Sequence, residues 1–511
     1  MRKLNTFKNL MTAIFSNIIL ALLGFLRIKA FVANLGEEVY SANQLFYQIF
    51  GYLSIAEAGV GTLIIQKYYL LLIKKDTDNI NVAHTTAKSF LRKISAAIFA
   101  VGIVISFFLK HLTNNSLTLG YLQTIFLLFL IRNIIDYLMY TPRLLIQADQ
   151  KLYKINNIVN GAKIIEILVE VILLSFKVPY EYILIPTIIE RIIMNLIANH
   201  RVYKEYPWLK AVDKKDNSIL KNAKYLIGTR VAVIVSNNTD MLIISSFLSP
   251  KDVTTYSAYN YITKFAKDAA NIVLNALLAS FGNLMHANAK HEEKLETFEE
   301  MNSLFIVMGA VICTWFGFFI SNFVGLWIGF ENQFTMMSLI AALVILYQQI
   351  TKFMFNGMRD VQGWFKQTQY IAYAEGILNI ILSIILLKKI GLAGVLIATV
   401  ITNFLTNFWF FPIYTYKKMF DKKPFRYYAK FFFNLMLSAI LFFITYKTLG
   451  TLTAGSFLTL IWKALIYLLV ISIIILGLNF ILFQDFRNFI YKLRELAKQI
   501  FNKNREEKKE Q

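Results

Sequence analysis

The sequence predicts an all-α integral membrane protein of about fourteen transmembrane helices. Three observations carry that prediction. Of the 511 residues, 57% are hydrophobic and only 16% charged, with a mean hydropathy of +0.53; a soluble domain is nearer ~25% charged. Apolar runs of ~18 or more residues, the length that crosses the hydrocarbon core as a helix with its backbone bonded internally, recur from residue 9 to residue 483 with short breaks. The basic residues, finally, alternate from loop to loop as membrane topology demands.

The runs place helices at about 10–33, 42–72, 89–110, 118–146, 154–176, 180–203, 219–248, 253–287, 298–324, 334–357, 367–387, 392–416, 428–447 and 456–483. The first follows Arg2, Lys3 and Lys8 and resembles a signal peptide, but Leu10 to Ala33 is too long for an h-region, so it reads as a retained helix. After residue 483 the chain turns charged. Phe486, Phe489, Ile490, Leu493, Leu496 and Ile500 keep helical spacing there, which predicts an amphipathic helix along the membrane surface and a cytoplasmic tail over 484–511.

Loop charge tests the count, because one missed helix scrambles every loop after it. With the N-terminus inside, the outer loops hold only Lys110, Lys177, Lys251, Lys388, Lys389 and Lys447. The inner segments hold six times as many basic residues, including Lys74, Lys75, Lys88, Arg92 and Lys93 in the first loop and Lys417, Lys418, Lys422 and Lys423 in a late one. Both termini are therefore expected in the cytoplasm.

The same distribution excludes other classes. A net charge of +22 suits nucleic acid only when the cations share one solvated face, and here they sit in short loops between apolar runs. The lone Cys313 permits no internal disulfide, and the five histidines form no metal-ligand spacing. No Walker A pattern and no nucleophile elbow occur. The expectation is a transporter with no cofactor, not an enzyme.

A weak internal repeat gives the domain organisation. FVANLGEEVYSANQLF from Phe31 and SSFLSPKDVTTYSAYNYI from Ser245 each end an apolar run, turn through acidic residues and restart with Tyr-Ser-Ala, at Tyr40–Ala42 and Tyr256–Ala258. The two stand six helices apart. That spacing predicts an N-terminal lobe (1–203), a linker (204–218), a C-terminal lobe (219–416) and two further helices (417–483), with a binding site between the lobes.

Ionisable residues inside the hydrocarbon region are costly and mark function by default. Arg27, Lys29, Lys67, Arg132, Lys163, Arg191, Arg230, Lys264, Lys267, Lys352 and Lys463 remain within predicted spans, with Glu57, Asp136, Glu166, Glu170, Glu190, Asp240, Asp268 and Glu375. At ~1.5 Å per residue, Lys67, Lys352 and Lys463 lie near helix ends, where they snorkel. Lys163, Arg191, Arg230 and Lys264 fall near mid-membrane. One reading is internal pairing: Arg132 with Asp136, Lys163 with Glu166 and Glu170 on one helical face, Lys264 with Asp268. The other is a hydrated cavity whose basic excess suits an anionic passenger such as a phosphate or pyrophosphate head group. Tyrosines in the same helices, Tyr52 and Tyr259 among them, suit sugar faces or interfacial belts.

Three stretches resemble a known family. They are LGFLRIKAFVANLGEEVYSANQLFYQIFGYLSIAEAGVGTLI (Leu23–Ile64), TDMLIISSFLSPKDVTTYSAYNYITKF (Thr239–Phe265) and NIILSIILLKKIGLAGVLIATVI (Asn379–Ile401). Together they resemble the Wzx-type flippases, the polysaccharide branch of the multidrug/oligosaccharidyl-lipid/polysaccharide (MOP) flippase superfamily. The resemblance implies two six-helix lobes in a V plus two C-terminal helices. It also implies carriage of an undecaprenyl-pyrophosphate-linked glycan (a capsule, teichoic acid or O-antigen unit) across a bacterial cell membrane, by alternating access driven by Na+ or H+ or the membrane potential. A polymerase or ligase of the same pathway is the implied partner. Arg27 matches the helix-1 arginine of the related lipid II flippases and Glu57 their helix-2 glutamate. Tyr52 stands where they carry an arginine, and Lys264 lies near a helix-8 arginine that is absent here; these departures favour a glycan other than lipid II. The expected phosphate and glycan contacts are Arg27, Lys163, Arg230, Lys264, Lys267, Tyr52 and Tyr259. The expected coupling or gating groups are Glu57, Asp136, Glu166, Asp240, Asp268 and Glu375. A drug/cation antiporter on the same scaffold is the rival, and it predicts a smaller, acidic cavity and usually twelve helices.

Overall fold

A computed structural model describes residues 2–216, 218, 239–286, 290–449 and 455–507. Every regular element among them is helical. In chain order they are α1 (Arg2–Leu53), α2 (Ile55–Lys74), α3 (Thr77–Leu112), α4 (Leu119–Met139), α5 (Thr141–Ala148), α6 (Tyr153–Ser175), α7 (Tyr180–Glu205) and α8 (239–247). Then follow α9 (Pro250–His286), α10 (His291–Ile328), α11 (Met336–Thr351), α12 (Phe353–Gln362), α13 (Phe365–Leu405), α14 (Asn407–Phe420), α15 (Phe425–Leu449), α16 (Phe457–Leu482) and α17 (Gln484–Glu507). Among the described residues eight stretches, Thr77–Leu112 and Phe457–Leu482 included, are long and apolar enough to cross a membrane by length and composition. The chain is a multi-pass membrane protein.

Several predicted spans are interrupted, each with a local cause. Gly36, at φ 79°, breaks α1 between the first two predicted helices. The second span breaks again at Ser54, and the fourth at Tyr140, just before Pro142. α13 bends at Ile390 and Gly391, where Gly391 takes φ 59° and ψ −137°. Three residues on, a Cβ at Gly394 would lie 2.3 Å from the Leu386 carbonyl oxygen, so the Gly-x-x-Gly spacing is what lets the chain double back. Pro412 inside α14 cannot donate to Phe408 and crowds it. The Tyr428 hydroxyl reaches the carbonyls of Phe408 (3.4 Å) and Trp409 (3.2 Å), supplying a donor where the helix has lost one.

The chain divides into two compact units, Met1–Thr254 and Thr255–Gln511. In the first, α1 packs on α6, α4 on α3 and α7, α6 on α7, and α2 on α3 and α5. Its core is aromatic: Phe46 and Phe50 each lie 5.2 Å from Phe126, and Phe31 lies 4.8 Å from Tyr180. The predicted linker 204–218 belongs to this unit through residue 216. Asn81 donates to the Trp208 carbonyl and accepts from the Lys210 amide, while Thr85 and Thr86 accept from the amides of Val212 and Asp216. Four backbone groups are thereby strapped along α3.

In the second unit α10 is central, touching α11, α15, α16 and α17. Asn434 and Asn479 exchange reciprocal amide hydrogen bonds of 2.9 and 2.8 Å between α15 and α16. Lys430 of α15 is buried and binds Glu299 of α10 (3.0 Å) and Asp485 of α17 (2.7 Å). α17 differs from its predicted surface placement. Phe486 and Phe489 are buried and α17 packs on α10 and α16, so the start of its apolar stripe docks on protein. Leu493 alone of the described stripe is strongly exposed.

Both Tyr-Ser-Ala tripeptides lie within the first turns of the helical stretch after a break, and in both the Ser and Ala are buried. The small residues face protein at equivalent points of the two units.

Candidate functional site

The charges of α1, α4, α5, α6 and α7 meet inside the first unit. Glu166 and Glu170 lie one turn apart on α6, and both are buried. Because α6 packs on both α1 and α7, the two carboxylates turn to different partners. Glu170 accepts from Arg27 Nε of α1 at 2.8 Å, and the same guanidinium donates to the Tyr47 hydroxyl at 3.0 Å. Glu166 binds Arg132 of α4 through one oxygen and Arg191 of α7 through the other, the latter at 3.0 Å. Arg191 Nε lies 3.6 Å from Asp136 of α4. Asp136 accepts from the Asn195 amide at 2.8 Å, and Asn195 accepts from Arg143 of α5 at 2.7 Å. Beyond the arginines, the Tyr180 hydroxyl donates to Asn43 at 3.1 Å.

The network runs along α7 from Tyr180 to Asn195, ~22 Å at 1.5 Å per residue, against a hydrocarbon core of ~30 Å. Charges at that depth persist only when paired or wetted, and pairing across four helices satisfies most of them. The pairs expected within single helices are not the ones formed. Asp136 faces Arg191 rather than Arg132, because the turn of α4 aims it at α7. Lys163 leaves the face it shares with Glu166: it is exposed, and among the described residues it makes no ion pair. In the second unit Lys264 and Asp268 are likewise exposed, and no ion pair joins them. Lys267 is half-buried.

The remaining predicted residues are scattered. Tyr52 is half-buried with its hydroxyl 3.5 Å from Thr239, next to Asp240 in sequence. Tyr259 lies in the core rather than on a ligand surface: it is 2% exposed, stacks on Phe334 at 3.7 Å and binds Ser321 at 3.0 Å. Glu375 is buried on α13. Lys352, expected to snorkel, instead lies at the α11–α12 break, lining a cleft with Gln348, Thr351, Asn403 and Asn407, its ammonium 5.6 Å from the Phe411 ring. Arg230 and the side chain of Glu57 lie outside the described residues.

Sequence reading missed five members of the network as site residues: Asn43, Tyr47, Arg143, Tyr180 and Asn195. Arg143 stands at the end of the predicted 118–146 span, outside the set of intramembrane charges, yet it is buried. The amphipathic run Leu144–Ala148 behind Pro142 is the signal that its turn is buried.

With the geometry in hand, comparison with solved structures decides the fold. The lipid II flippase MurJ in an inward closed conformation aligns over 92% of this chain and 99% of its own, with a TM-score of 0.66 and 16% identity. The chain shares the fold of that structure. An inward-facing multidrug resistance MATE family transporter of the MOP superfamily aligns over 82% of this chain and 95% of its own (TM-score 0.61, 13% identity). The MATE multidrug transporter DinF-BH aligns over 81% and 95% (TM-score 0.57, 15% identity). No protein-family model matches the sequence, and no curated protein matches it at a significant level.

Outside the spans, one acidic cluster has a defined electrostatic state. Glu205, at the end of α7, binds Lys154 at 2.6 Å and Lys151 at 3.0 Å. Partial burial pushes its carboxyl up, but the two ammonium groups outweigh that and hold it below the usual glutamate range.

Proposed function

We propose that this chain is a flippase for a lipid-linked, pyrophosphate-bearing glycan, moving it from the inner to the outer leaflet of a bacterial cell membrane with both termini in the cytoplasm. The observation that carries the reading is the state of Lys163. It stands at half-length on α6, is exposed, and pairs with no described carboxylate. An ammonium at that depth needs water around it. A hydrated cation that no described carboxylate ion-pairs attracts an anion, and diphosphate is the anion such a lipid offers. Lys264 repeats the condition in the second unit. Arg27, by contrast, is committed to Glu170 and Tyr47, so it contacts substrate only by leaving them.

The comparisons support the reading over the antiporter. The MurJ structure spans 92% of the chain against 82% for the MATE structure, in keeping with helices α15 and α16 beyond a twelve-helix plan. Glycan identity, lipid II included, is set by what accumulates when the protein is removed. Lys163→Ala and Lys264→Ala leave no buried partner exposed, so they test contact without unfolding the lobes. Each is expected to cut polymer export at least tenfold at normal protein level. Full export by both variants contradicts the assignment.

A further inference from the structure

Glu190 of α7 is the one carboxylate of the first-unit network that receives no hydrogen bond among the described residues. Both its oxygens are buried away from water, and the side chain is 14% exposed. An ionised carboxylate in that state is costly. The cost is relieved either by a proton or by a donor that moves in. One donor stands ready. Arg191 Nε is also buried without a hydrogen-bond partner, and it lies between two acceptors, 3.6 Å from Asp136 of α4 and 3.8 Å from Glu190. Both distances exceed a hydrogen bond by ~0.5–1 Å. Arg191 stays anchored through its terminal nitrogen to Glu166, and Asp136 keeps its bond from Asn195 whichever way Nε turns.

The charged groups acting on Glu190 come from each neighbouring helix: Glu166 of α6, Arg132 and Asp136 of α4, and Arg191 of its own helix. Lys163 of α6 acts on the same cluster. Arg143 of α5 binds Asn195 and acts on Asp136 and Arg191, not on Glu190 itself. The close shell of two arginines and two carboxylates is neutral by itself, and the exposed Lys163 forms no ion pair with Glu190, so an ionised Glu190 is left without a hydrogen-bonded counter-charge among the described residues in a poorly solvated place.

We propose that Glu190 is a proton-binding site, and that its ionisation swings Arg191 Nε from Asp136 on α4 to Glu190 on α7. The protonated acid leaves Arg191 to bridge α7 and α4. Loss of the proton to water turns the guanidinium back onto its own helix and loosens that bridge. This rests on the transport reading and deepens it, naming H+ as the coupling ion and the α4–α7 contact as the element it biases.

The test needs no substrate. Infrared difference spectra of the purified protein in lipid, recorded on a step from acid to alkaline pH, read the carbonyl stretch of protonated carboxyl groups directly. The wild type is expected to lose one such band on the step from acid to alkaline pH. Glu190→Gln is expected to lack it entirely, Glu190→Asp to keep it at a shifted midpoint, and Asp136→Asn to keep a Glu190 band. A band in Glu190→Gln identical to wild type overturns the proposal. So does a wild-type carboxyl signal that does not change with pH. A titrating Glu190 in a protein whose depletion leaves lipid-linked glycans unaltered removes the flippase reading and leaves the proton site standing.

Discussion

Glu166 holds two arginines from two other helices, so its removal leaves Arg132 and Arg191 buried together without their shared counter-ion. Breaking a buried pair from one side costs ~3–5 kcal/mol. Glu166→Ala is expected to lower the unfolding temperature of the detergent-solubilised protein far more than Lys163→Ala, which breaks no ion pair; equal shifts would show that the network is not what holds the first unit. Glu205 makes a pH prediction of opposite scale. Its folded-state carboxyl sits below the ordinary value of ~4.3, so its contribution is fully present above that value and is lost as pH falls through the lowered one. The stability difference between wild type and Glu205→Gln is expected to be constant from neutral pH to about pH 5 and to close below it. A difference that instead grows on acidification contradicts the Lys151–Glu205–Lys154 cluster. These residue-level partners were only half legible in the sequence. The charged positions were plain, because charge within an apolar run stands out. Their partners were not, because spacing along one helix pairs Arg132 with Asp136, while packing of α4 on α7 gives Asp136 to Arg191.

At the scale of elements, some unbroken spans were legible almost to the residue, whereas those predicted at 89–110 and 298–324 extend as Thr77–Leu112 and His291–Ile328 through polar first turns that hydropathy leaves out. The runs at 154–176 and 456–483 became Tyr153–Ser175 and Phe457–Leu482. Interrupted spans were not, since a break at Ser54 or Thr406 changes two torsions and leaves the hydropathy untouched. Pro142 and Pro412 were the visible cues. The bend of α13 depends on two glycines in different ways. Gly391 occupies backbone torsions that cost other residues ~1–3 kcal/mol, and Gly394 has no room for a Cβ against Leu386. Gly394→Ala is therefore expected to be the more damaging, seen as loss of monodisperse protein on size-exclusion chromatography, with Gly391→Ala milder. The reverse order would mean that the torsion, not the close approach, governs the bend.

For the whole molecule, two units of long helices, with charge buried in the first and unpaired cations in each, suit a carrier of a charged lipid better than an inert scaffold. The fold class was readable from composition and loop charge. The docking of residues 208–216 onto α3 was not, because it depends on Asn81, Thr85 and Thr86, polar residues with no periodic signature. Mass spectrometry of lipids extracted from a conditional depletion strain tests the central claim most directly. The account predicts accumulation of one glycan-loaded, pyrophosphate-linked lipid, held on the inner leaflet and cleared by wild-type protein but not by Lys163→Ala. An unchanged lipid pool with altered sensitivity to cationic drugs would contradict it and point to an antiporter.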